Sequence, residues 1–99
     1  MKQRRYRVSA YAPGITNPSA SPALHKASQS RENAVENFFA AMKGLGTKYE
    51  MVILHQGKGG SNAMKLFLDT RNVRHVDELS RKIELLRWSA NNWLAEAED

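Results

Sequence analysis

Ninety-nine residues, fifteen Lys or Arg against ten Asp or Glu, and no cysteine bound the molecule at once. The length fits one domain with one core, and 41% hydrophobic with 25% charged residues is the balance of a globular chain, not a disordered one. Without cysteine there is no disulfide framework, thiolate zinc site or cysteine nucleophile, and no apolar run approaches the ~20 residues of a membrane-spanning helix.

Residues 3–12 alternate as a strand does, with Tyr6, Val8 and Ala10 on one side and Arg5, Arg7, Ser9 and Tyr11 on the other. All three prolines follow within residues 13–22, and the stretch 13–29 reads as a long Pro/Ser-containing loop. A loop of that length is expected to be pinned to the body or to a partner. Ser30 is positioned to cap a helix over 31–43, whose inner face is Ala34, Val35, Phe38, Phe39 and Met42. Gly44 is expected to stop that helix in a left-handed conformation, and Gly46 to prolong the turn.

Tyr49–Gln56 and Ala63–Asp69 read as two strands of a hairpin whose tip is Gly57 to Asn62. A long helix then runs from about Val73 or Val76 to Ala97, with Asn72 or His75 near its cap. Val76, Leu79, Ile83, Leu86, Ala90, Trp93 and Ala97 recur at spacings of three and four, an inward stripe. The expected architecture is therefore a single α+β domain, βαββα, with a three-stranded antiparallel or mixed sheet and two helices packed on one face. That element order resembles a ferredoxin-like fold without its last strand, a likeness of order alone that carries no function.

The charge is unevenly spread. Residues 1–31 hold six cations and no acid, residues 43–74 hold six cations against Glu50 and Asp69, and residues 88–99 hold three acids and no cation. A basic body with an acidic end favours a polyanionic partner, against the plainer reading of a solvated basic surface. The acid-free N-terminus has the composition of a transit peptide, but its removal would leave about 68 residues and a marginal core. No apolar segment follows the opening charges, so no secretory signal is expected, and the expected location is cytoplasmic.

Gly57-Lys58-Gly59-Gly60-Ser61 looks like a phosphate loop but lacks its spacing, and it joins two strands instead of a strand and a helix. His25, His55 and His75 show no metal-ligand spacing with Asp69, Asp77 or Glu78, so no metal, cofactor or catalytic residue is assigned. A metal-independent ribonuclease using a histidine base is the weakest of the readings weighed.

Two surfaces carry the functional expectation. If the helices cover the face bearing Tyr6, Val8, Met64, Leu66 and Leu68, the opposite face presents Arg5, Arg7, Tyr11, Lys65 and Phe67. Rings interleaved with cations on an open sheet suit single-stranded RNA, where bases stack and cations hold phosphates. The nucleic-acid set is thus Arg4, Arg5, Arg7, Lys58, Lys65 and Arg71 on phosphates, with Tyr11 or Phe67 on bases. A one-residue bulge would reverse the faces, and charged residues also protect edge strands from aggregation.

The second surface lies on the last helix, where Arg81, Leu85, Trp88 and Asn92 fall away from the inward stripe. Exposed Trp and Leu either bind a protein partner or a second copy, or lie beneath the Pro/Ser loop. The expected function is a small, basic, non-enzymatic protein that contacts nucleic acid or a ribonucleoprotein. The alternative is a phage or mobile-element inhibitor of a host defence complex, in the manner of anti-CRISPR proteins.

Overall fold

The computed structural model describes residues 6–15, 21–58 and 61–96, without the side chains of 57, 58, 61–64 and 72. Four strands and two helices are present: β1 (Tyr6–Tyr11), β2 (Leu24–Ser28), α1 (Arg31–Met42), β3 (Met51–Lys58), β4 (Ser61–Asp69) and α2 (Val76–Glu96), with a 3-10 turn over Thr70–Asn72. The sheet order is β2-β1-β3-β4, and every neighbouring pair is antiparallel. No helix among the described residues is long and apolar enough to cross a membrane.

The α+β class holds, but the sheet has four strands rather than three. The additional strand, β2, lies inside the stretch expected to be loop and pairs Leu24 to Ser28 with Ala10 to Tyr6. The departure from a ferredoxin-like order begins here, because β2 stands between β1 and α1 in the chain. Since β2 and β3 both run antiparallel to β1, they are parallel to each other, and α1 carries the chain across β1 between them.

Both helices lie on one face. Tyr6, Val8 and Ala10 of β1, Val52 and Leu54 of β3 and Leu66 of β4 join Ala34, Phe38 and Ala41 of α1 and Ala90 and Trp93 of α2 in the main core. Phe38 is fully enclosed at its centre, a burial worth about 3–5 kcal/mol against alanine. Trp93 ties three elements together: its ring meets Tyr6 edge-on at 5.5 Å, and the Arg31 guanidinium lies 4.9 Å from its ring centre. Arg31 also donates through Nη1 to the Trp93 carbonyl at 2.7 Å and through Nε to the Tyr6 hydroxyl at 3.4 Å.

Ser30 caps α1 as its residue type predicts, its Oγ accepting from the Asn33 amide at 3.1 Å. The stop divides differently between the two glycines. Gly46, not Gly44, has the positive φ of 87°, whereas a Cβ at Gly44 would lie 2.7 Å from the Tyr49 ring. Gly44 is thus a close-approach glycine, and its carbonyl accepts from the amides of Thr47, Lys48 and Tyr49.

The hairpin is tighter than its glycine-rich sequence suggests, because pairing continues to Lys58↔Ser61 and leaves only residues 59–60 between the strands. The α2 cap is His75, whose carbonyl accepts from the Leu79 amide at 3.1 Å. Only the C-terminal part of the expected stripe is enclosed: Ala90 and Trp93 are buried, while Val76 is 78% exposed. Ala97 lies outside the described residues.

Candidate functional site

The face turned away from the helices is only partly open. Tyr11, Met51 and Ile53 form a small second core there, and Ile15 from the β1–β2 connection packs against it. The connection is fastened by the Gly14 amide, which donates to Glu50 Oε1 at 3.1 Å. Arg71 Nη1 reaches the Ile15 carbonyl at 3.5 Å. The start of the connection at Gly14 and Ile15 is therefore pinned to the body, on the sheet face opposite the helices.

These contacts correct the expected nucleic-acid set residue by residue. Tyr11 is only 3% exposed, so its ring is core and offers no stacking surface. Arg71 is held in an ion pair with Asp69, whose carboxylate also accepts from the Arg71 amide. That guanidinium beside Asp69 keeps the carboxyl below the usual range. Arg71 thus fastens the end of β4 to the loop. Arg4 and Arg5 lie outside the described residues, as does the side chain of Lys58.

Besides Arg71, which stays exposed beside Asp69, three further described members are accessible. Arg7 is half-buried on a central strand opposite His55. Phe67 is 41% exposed and pairs with Ile53, on the same face as Arg7. Lys65 is exposed, but the register shifts at Leu54/His55, so that Leu66 pairs with Leu54 while Met64 pairs with His55. The side chain of Met64, expected on the helix face, lies outside the described residues. The shift leaves Lys65 as the unpaired residue of a bulge on an edge strand, where a lysine discourages further pairing.

Arg81, Leu85, Trp88 and Asn92 are all exposed, with Leu85 at 65% and Trp88 at 67%. Trp88 therefore stands open to solvent, and residues 16–20 of the Pro/Ser stretch lie outside the described residues. Sequence reasoning assigned Phe67 and Leu85 to separate sites, yet both line one groove between β4 and α2 with Leu68, Asp69, Lys82 and Leu86. Among the described residues, three of the four large hydrophobic side chains that stand exposed (Phe67, Leu85 and Trp88) lie at this seam or one helical turn along it.

Comparison with protein-family models, with curated proteins and with solved structures finds no match. The chemistry of the surfaces therefore carries the functional argument. Among the described residues, no group of three His, Asp or Glu side chains gathers as metal ligands would.

One grouping had no sequence signal beyond the general excess of cations. Lys26, Lys43 and Lys48, from β2, the α1 C-cap and the following turn, line a single groove with Tyr49. They are separated along the chain and meet only because β2 pairs beside α1.

Proposed function

We propose that this chain is a non-enzymatic binding protein that docks a protein partner through the seam between α2 and β4. The observation that carries this reading is the exposure of Phe67 and Leu85 on one groove, with Trp88 exposed one helical turn further along α2. An apolar cluster that stays in contact with water forgoes roughly 25 cal/mol per Å² of burial, and a partner recovers that energy on docking. Trp at such a patch is the residue type that most often dominates an interface, and Arg81 and Lys82 beside Leu85 suit a partner with a carboxylate rim.

The acid-poor stretches 1–31 and 43–74 favour a polyanion as second ligand. The partner class that satisfies both surfaces is a ribonucleoprotein, which offers protein and phosphate side by side. A mobile-element inhibitor of a defence complex of that kind fits the chain's size and charge.

The test is affinity capture from native cells, with and without nuclease, using the wild type and Leu85→Ala/Trp88→Ala. A defined protein retained by the wild type and lost by the variant supports the reading, provided the variant unfolds at the same denaturant concentration. Equal retention by both proteins refutes it.

A further inference from the structure

At the sheet edge opposite the α2/β4 seam, β2 and the C-terminal end of α1 enclose a groove with three lysines on its rim. Lys26, Lys43 and Lys48 border it with Asn37, Thr47 and Tyr49, and no carboxylate lines it. Among the described residues none of the three ammonium groups is in a salt bridge. Lys43, as the C-cap, offsets the negative end of the α1 dipole. Lys26 also guards the β2 edge against further pairing, whereas Lys48 has no such structural employment, and bringing like charges together disfavours the fold.

The backbone of this corner indicates what kind of anion the lysines suit. The amides of Lys43 and Gly44 donate to Ala40 and Ala41, and those of Thr47, Lys48 and Tyr49 all donate to the Gly44 carbonyl. No nest of free amides is left to wrap a single phosphate group, the usual device for small phosphorylated ligands. Recognition falls to flexible point charges, which bind a phosphodiester backbone without reading its sequence. Tyr49, half-buried against the main core and close to Gly44, lines the groove beside the cations with the part of its ring that stays open.

We infer that this lysine groove is a binding site for the phosphodiester backbone of single-stranded nucleic acid. The inference rests on the polyanion part of the functional reading and moves the contact from the sheet face to the β2/α1 edge.

The measurement is fluorescence anisotropy of a labelled mixed-sequence single-stranded oligonucleotide at about 50 mM salt and upward, where binding through phosphates is strongest. Three phosphate contacts contribute about −2 to the slope of log K against log salt on a single strand. Lys26→Gln/Lys43→Gln/Lys48→Gln is expected to lose at least about tenfold in affinity and to flatten the slope by about 2. Lys26→Arg/Lys43→Arg/Lys48→Arg, which keeps the charge, is expected to retain both. Absence of wild-type binding overturns the inference together with the polyanion reading. Wild-type binding that the glutamine variant reproduces overturns the groove alone.

Discussion

The imidazole of His55 sits half-buried opposite Arg7, with Nδ1 enclosed and without a hydrogen-bond partner. Burial, and then the charge of Arg7, hold its pKa below the ordinary 6.5. The folded protein thus favours the neutral imidazole more than the unfolded chain, which takes up a proton as the pH falls past 6.5. The associated stability is fully present above that pH and is lost as the pH drops toward the folded-state value. His55→Leu should show a shallower decline in its urea midpoint between pH 7 and pH 5 than the wild type. Parallel declines would mean that His55 is not the group responsible. Gly44 makes a second prediction at this scale. Its Cβ would meet the Tyr49 ring, so Gly44→Ala should lose about 1–3 kcal/mol of unfolding free energy. Sequence reasoning marked 44 and 46 together as a stop, because both are glycine. Which of them needs a positive φ and which needs room depends on where Tyr49 returns, and no local pattern records that.

At the level of elements, each helix depends on few contacts. Ser30→Ala removes the acceptor for the Asn33 amide and should cost about 1 kcal/mol in chemical denaturation. In α2 the load lies at the C-terminal end, where Trp93 is buried against Tyr6 and Arg31. Trp93→Ala should cost about 3–5 kcal/mol, while Val76→Ala at the exposed start should change stability by less than about 0.5 kcal/mol. Similar costs for the two would contradict this division. Both helices and β1, β3 and β4 were legible because each buries a face, and burial writes a period into the sequence. β2 was not, since Leu24-His25-Lys26-Ala27-Ser28 lies at an edge with His25 and Lys26 exposed. Its place in the sheet comes from backbone pairing with β1, which any side chains can accompany. The Lys65 bulge was equally invisible, although it left Phe67 in the expected phase.

Across the whole molecule, the two edges of the sheet differ in character. The β4 edge with α2 presents Phe67, Leu85 and Trp88, and the β2 edge with α1 presents Lys26, Lys43 and Lys48. The α2 patch could be read from helical spacing, since Arg81, Leu85, Trp88 and Asn92 share one side of a helix wherever that helix packs. The sheet-face set was only partly readable, because Tyr11 becomes core once Ile15 and the connection fold onto it. The central claim is that a protein docks at the α2/β4 seam. It is tested most directly by photo-crosslinking in native cells, with a photoreactive phenylalanine analogue replacing Trp88, Phe67 or, at the opposite edge, Lys26. The account predicts that positions 88 and 67 capture the same protein and that position 26 does not. Capture of that protein equally from position 26, or from none of the three, would contradict it.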